Sequence, residues 1–125
     1  MTSFQLERMD PIQLSAPRGS EETARRFYMD ILGFQEEEKP ETLKSNGGVW
    51  FREGEIAIHI GIEDSFVPLK KAHPAFEVTH IRELQKHLEQ SNISTKWDTK
   101  LPGAKRFYVK DPFDNRLEFL EWENR

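Results

Sequence analysis

The chain has 125 residues, of which 32% are charged, with no cysteine and a formal net charge of −4. Mean hydropathy is −0.75 and no apolar run approaches the length of a membrane span, while a pI near 5.6 argues against a general nucleic-acid surface, which needs a basic patch. Without cysteine there are no disulfides, no thiolate metal site and no cysteine nucleophile.

The opening residues Met1 to Glu7 lack a basic start followed by an apolar run, so no secretory leader is expected and cytoplasmic residence is the default. From Asp10 to Ala16 the residues alternate, with Ile12 and Leu14 on one side and Gln13 and Ser15 on the other, which predicts a half-buried strand. Ser20 is a good N-cap, followed by Glu21 and Glu22 in a first turn that favours negative charge. Ala24, Phe27, Tyr28, Ile31 and Leu32 then recur at helical spacing, and Gly33 is the natural stop. A strand around Phe34 to Glu38 follows. After loops at Lys39-Pro40 and Ser45 to Gly48, a hairpin is expected from Val49 to Arg52 and Glu55 to Gly61, turning at Glu53-Gly54.

The same order then recurs. His73 to Val78 reads as a strand. Thr79 can cap a helix carrying Ile81, Leu84 and Leu88 and ending near Asn92. Ser94 to Trp97 is a short strand, and Leu101-Pro102-Gly103 breaks the chain. Arg106 to Lys110 and Arg116 to Trp122 make a second hairpin across Asp111 to Asn115. Each half is a strand, a helix and three strands. Pro11 and His73 open the halves 62 residues apart, and His59 and Glu118 sit on their closing strands 59 apart. Residue identity between the halves is slight, so the repeat is one of pattern. One domain over 1–125 is expected, with module one at about 8–62, a linker at 63–72 and module two at about 73–122.

Alternation assigns faces. Ile12, Leu14, Ile58, Ile60, Phe76, Val78, Phe107, Val109, Leu117 and Phe119 face covering helices. Gln13, Trp50, Arg52, His59, His73, Glu77, Arg106, Tyr108, Arg116 and Glu118 then line the opposite face. A curved sheet carrying them is a polar cup with aromatic walls, suited to a small molecule. His59, His73 and Glu118, two imidazoles and a carboxylate on three strands, are a ligand set for Zn²⁺, Ni²⁺, Mn²⁺ or Fe²⁺. Trp50 and Tyr108 can stack on a planar ligand, while Arg52 and Arg106 can bind an anionic one. Arg116 is read as structurally paired with acidic residues, and Glu77 as a salt-bridge partner of Arg106 or Arg52. His80, His87 and the run Glu36 to Glu38 are read as solvated surface.

Together, Ala24 to Phe34, Ile58-His59-Ile60-Gly61, His73-Pro74-Ala75-Phe76 and Asp111-Pro112-Phe113-Asp114-Asn115-Arg116-Leu117-Glu118 strongly resemble the vicinal oxygen chelate superfamily. Its members include glyoxalase I, extradiol dioxygenases, and fosfomycin- and bleomycin-resistance proteins. The resemblance implies an α+β fold of two βαβββ modules enclosing a U-shaped cup with helices outside, usually in a homodimer. It implies metal ligands on the first and last strand of each module, here Pro11, His59, His73 and Glu118; Pro11 cannot ligate, and Gln13 two residues on is a weak substitute. Asp114 stands where the family's turn usually has glycine. The implied function is a metal-dependent isomerase, lyase or dioxygenase acting on a small oxygenated substrate, with Glu118 also available as a catalytic base. The alternative is a binding protein that sequesters a drug or metabolite without catalysis.

Overall fold

A computed structural model describes residues 3–124; Met1 and Thr2, on which the leader reading partly rests, and Arg125 lie outside the described residues. The eight strands are β1 (Ile12–Ala16), β2 (Gln35–Glu37), β3 (Val49–Glu53), β4 (Ile56–Ile62), β5 (Ala75–Glu77), β6 (Lys96–Asp98), β7 (Ala104–Lys110) and β8 (Arg116–Trp122). The α-helices are α1 (Glu21–Arg25) and α2 (Ile81–Gln90). They form two four-stranded sheets of identical topology, β1-β4-β3-β2 and β5-β8-β7-β6. In each, the first strand runs parallel to the fourth and the remaining pairs are antiparallel. The repeat of pattern is therefore a repeat of architecture.

The face assignment follows the pleat. Ile58, Ile60, Phe76, Phe107, Val109, Leu117 and Phe119 are buried in one cluster with Tyr28, Ile81 and Leu88 from the helical segments. Ile12, Leu14 and Val78 pack against it half-buried. Residues of both halves share this core, because each sheet turns its apolar face toward the helices.

Three local expectations need correction. The first helical segment is not one α-helix from Ala24 to Leu32: α1 ends at Arg25 and a wider π-helical turn continues over Arg26–Ile31. That turn begins with two adjacent rings, Phe27 and Tyr28, both buried. A π-turn inside helical backbone changes the angular spacing of neighbouring side chains, which 3.6-residue periodicity in a sequence does not register. The cap of α2 is His80 in left-handed geometry (φ 57°) rather than Thr79. The carboxylate of Glu121, on β8, accepts from the backbone N–H groups of His80 and Ile81 and so satisfies the helix start from across the fold. His87 is not merely solvated: its Nε2 donates to the Ile31 carbonyl at 2.7 Å, tying α2 to the first module.

Gly48 is needed where it stands. Its φ is +86°, and a Cβ there would meet the Ile60 carbonyl oxygen at 2.3 Å. The close approach lets the Gly48 N–H donate to the Glu21 carboxylate, which lowers that group's pKa.

The modules are joined by one buried carboxylate. Asp111 is 3% exposed. Its Oδ1 accepts from the backbone N–H groups of Phe113 and Asn115, both at 2.9 Å. Its Oδ2 accepts from the Tyr28 hydroxyl at 2.7 Å and from Asn115 Nδ2 at 2.9 Å. Asn115 Nδ2 also donates to the Ser15 carbonyl on β1. Asp114, in the left-handed region at φ 67°, closes the turn without glycine, since Asp tolerates that geometry.

Burial pushes the Asp111 carboxyl above its ordinary range, while these hydrogen bonds pull against the shift. A carboxyl whose pKa is higher folded than unfolded weakens folding as pH rises from its unfolded pKa to its folded one, and the loss is complete above the folded pKa. The Tyr28 hydroxyl matters most to the ionised form, because a charge-assisted bond is the stronger one. Tyr28→Phe is expected to lower stability by about 1–3 kcal/mol at neutral pH, and by less in acid where Asp111 is protonated. Urea denaturation of both proteins at the two pH values checks this; an equal loss at both would show that Tyr28 does not support the charge.

Candidate functional site

The polar face of the second sheet is held in register by β7 and β8, where Tyr108 lies opposite Glu118 and Arg106 opposite Leu120. His73 stands just before β5. Its Nδ1 is 2.7 Å from the Lys71 carbonyl, and since a carbonyl only accepts, Nδ1 carries the hydrogen. In the neutral ring Nε2 then has the free lone pair. That lone pair points at Glu118 Oε1, 2.8 Å away. Two acceptors at this distance require a positive charge between them, either a proton or a cation.

Glu118 is 6% exposed. Its other oxygen, Oε2, is 3.4 Å from Arg106 Nη1. Arg106 also reaches Asp98 Oδ1 at 3.5 Å, and its Nε is buried without a hydrogen-bond partner. The Tyr108 ring sits edge-on to His73, with ring centroids 5.6 Å apart. Two guanidiniums lie over that ring: Arg116 at 4.3 Å and Arg106 at 5.6 Å from its centroid.

The first sheet carries the topologically matching row. Gln13, His59 and Trp50 are register neighbours across β1, β4 and β3. His59 and Trp50 thus occupy the places that Glu118 and Tyr108 occupy in the second sheet. The imidazole of His59 lies flat on the Trp50 indole, with centroids 3.8 Å apart and planes 9° from parallel. Burial lowers the His59 pKa, with smaller opposing pulls from Glu37 and Asp10. Gln13 is exposed and turns its amide Nε2 to the Leu14 carbonyl.

Of the expected ligand set, the structure gathers His73 and Glu118 and leaves His59 in the other sheet. Among the described residues no three His, Asp or Glu side chains are placed to hold a metal ion. The reason is topological: β4 and β8 close separate sheets, and nothing in alternation along one strand measures the distance between sheets. His73 and Glu118 nonetheless fit a divalent cation as a pair. One ring nitrogen is committed to a backbone carbonyl and the other is turned to Glu118, the arrangement that orients histidine ligands.

The arginines also sort themselves. Arg52 is bound to Glu37 at 2.8 Å, so its charge is already partnered. Glu77 is not the partner of Arg52 or Arg106, whose ion pairs go to Glu37 and to Asp98 and Glu118 respectively. Arg116, expected to pair with acidic residues, has no carboxylate partner among the described residues; its Nη1 donates to the Lys70 carbonyl. The run Glu36 to Glu38 is not simply solvated, since its members bind Arg25, Arg52 and Lys44 in turn. Asp98 was missed from the sequence, where a single acid on a three-residue strand carries no signal until β6 is placed beside β7.

The family profile described as Glyoxalase/Bleomycin resistance protein/Dioxygenase superfamily matches residues 12–119. The chain belongs to this superfamily. A solved glyoxalase family protein from Bacillus anthracis is 45% identical over 97% of this chain and 99% of its own, with a TM-score of 0.93. The genomically encoded fosfomycin resistance protein of Listeria monocytogenes superposes at TM-score 0.76 with 16% identity, covering 94% of each chain. An antibiotic binding protein from Streptomyces superposes at 0.70 with 14% identity over 94% of this chain and 99% of its own. These last two likenesses are likenesses of fold. No sequence among curated proteins matches this one. Superfamily membership thus accounts for the paired modules and leaves the reaction open, since members with resistance, lyase and binding functions share the architecture. Among the described residues no helix is long and apolar enough to cross a membrane.

The stacked pair offers a direct check. Trp50→Ala uncovers the His59 ring, so the His59 pKa is expected to rise toward the ordinary histidine value. Imidazole NMR titration of both proteins reads it; an unchanged value would mean that Trp50 is not what buries the ring.

Proposed function

We propose that the protein binds a small oxygenated molecule on the polar face carrying His73, Glu118 and Tyr108, and that a divalent metal is held there through His73 Nε2 and Glu118 Oε1. The observation supporting this is the placement of the ring: Nδ1 is turned to the Lys71 carbonyl, so Nε2 and Glu118 Oε1 lie 2.8 Å apart, where a shared proton or a metal ion can sit between them. A metal bound there supplies Lewis acidity to a carbonyl or enediolate oxygen of the substrate. The chain's own groups do the rest. Glu118 serves as acceptor for a proton from the substrate carbon, with Arg106 holding its second oxygen in place. Tyr108 and Trp50 offer ring faces to a planar ligand. The reaction class is isomerase, lyase or oxygen insertion.

We read the active form as a cytoplasmic homodimer. One chain brings two donors together, and the resemblance to the superfamily allows modules of two copies to pair. In that arrangement His59 of one copy is the candidate third donor for the other. Metal content of untagged protein, measured by elemental mass spectrometry, tests the reading. Near-stoichiometric metal is expected in the wild type. His73→Ala should weaken binding by at least about a hundredfold, more than loss of a supporting outer group does, and Glu118→Gln should also release the metal. Absence of metal after reconstitution in all proteins would overturn the metal reading.

A second reading, binding without catalysis, is favoured by two observations. Pro11 stands where the resemblance implies a ligand, and Arg106 is already paired with Glu118, which makes it a poorer donor. The readings differ in their response to chelator: a bound metal stabilises the native state, so its removal lowers Tm only under the first.

A further inference from the structure

Arg116 opens β8 two residues before Glu118, on the same face of the strand. Its guanidinium carbon lies 4.3 Å above the centre of the Tyr108 ring. Its only hydrogen bond among the described residues runs from Nη1 to the Lys70 carbonyl at 3.3 Å. Other arginines of the polar faces are neutralised: Arg52 by Glu37, and Arg106 by Asp98 and Glu118. Arg116 is the exception, a positive charge held in place by a ring and a carbonyl and with no ion-pair partner among the described residues.

That manner of holding has a chemical consequence. A guanidinium stacked on an aromatic ring spends its face on the ring and keeps its N–H donors in its own plane. The Lys70 bond occupies one of them and fixes the rotation of the group. The remaining donors form the planar fork that matches a carboxylate. The charge balance of the face selects the size of the anion's charge. Arg106 carries one positive charge against the two negative charges of Asp98 and Glu118, so that set stays one charge negative, and Arg116 is the guanidinium without an ion pair that can meet one carboxylate. A dianion would leave its second charge uncompensated near Glu118. Tyr108 touches both Arg116 and His73, so the fork and the His73–Glu118 pair adjoin one ring.

We propose that Arg116 is the anchor of a monoanionic carboxylate ligand, so that the small molecule bound on this face is an organic acid. This rests on the reading above that the face is the ligand site, and it is independent of whether a metal is bound.

Benzoate and its neutral counterpart benzamide are the probes, titrated into isotope-labelled protein with the arginine Nε–Hε and backbone N–H signals recorded by NMR. Benzoate is expected to shift the Arg116 Nε–Hε signal and the backbone signals of Tyr108 and Glu118. Arg116→Gln should weaken benzoate binding by about tenfold or more, the loss of a charge-assisted pair. Arg116→Lys should recover part of it, since it keeps the charge and loses the fork. The same spectra report whether each variant is folded. Failure of benzoate to bind the wild type, equal binding of benzamide, or unchanged benzoate affinity in folded Arg116→Gln would each overturn the proposal. His73→Ala separates the two readings: it should abolish metal uptake and leave the benzoate-induced shift of Arg116. Metal uptake should persist in Arg116→Gln. Loss of metal binding alone thus strikes the metal site, and loss of benzoate binding alone strikes the carboxylate anchor.

Discussion

The two halves of this protein meet around the buried carboxylate of Asp111. It takes hydrogen bonds from its own turn, from the Tyr28 hydroxyl of the first module and from Asn115, which itself reaches β1 at Ser15. A carboxylate removed from water must have its lone pairs satisfied, and here donors from both modules are needed to satisfy them. The same turn delivers β8 to the sheet, so the grip that orders Asp111 also sets where Arg116 and Glu118 project. The polar face of the second sheet depends on that placement.

On that face the charges divide into a closed set and an open one. Arg106 bridges Asp98 and Glu118, and the other oxygen of Glu118 meets His73. Such a part-buried network gains from complete pairing, which is why the unpartnered Arg106 Nε stands out. The open member is the guanidinium of Arg116 above Tyr108, which has no ion-pair partner among the described residues. The equivalent row of the first sheet closes differently, since His59 is stacked on Trp50 and Arg52 is bound to Glu37. Two modules of one architecture have thus acquired different surfaces, one aromatic and flat, the other charged and hydrogen-bonding.

Alternation made the strands and their faces legible, because the period of two is a property of the strand alone. Ile58 and Ile60 against His59, and Leu117 and Phe119 against Glu118, could be assigned without knowing any partner. The paired order of elements was legible for a similar reason, each half repeating the same sequence of periods and turn residues. The π-turn after Arg25 was not, because helical spacing in sequence reads nearly the same whichever hydrogen-bond step the backbone takes. The cap of α2 by Glu121 was hidden by the 40 residues that separate that carboxylate from the Ile81 N–H it accepts.

The sequence by itself determined the element order, the duplicated pattern, which residues lie on the polar face, and the family. These follow from local periodicity and from turn chemistry at Asp111 to Asn115, which act between near neighbours in the chain. The tertiary structure alone decided who meets whom on that face. It joined His73 to Glu118, assigned Arg106 to Asp98 and Arg52 to Glu37, stacked His59 on Trp50, and left Arg116 without an acidic partner among the described residues. Pairing of this kind depends on register between strands far apart in sequence and on the separation of the two sheets, and a charge pattern along one chain specifies neither.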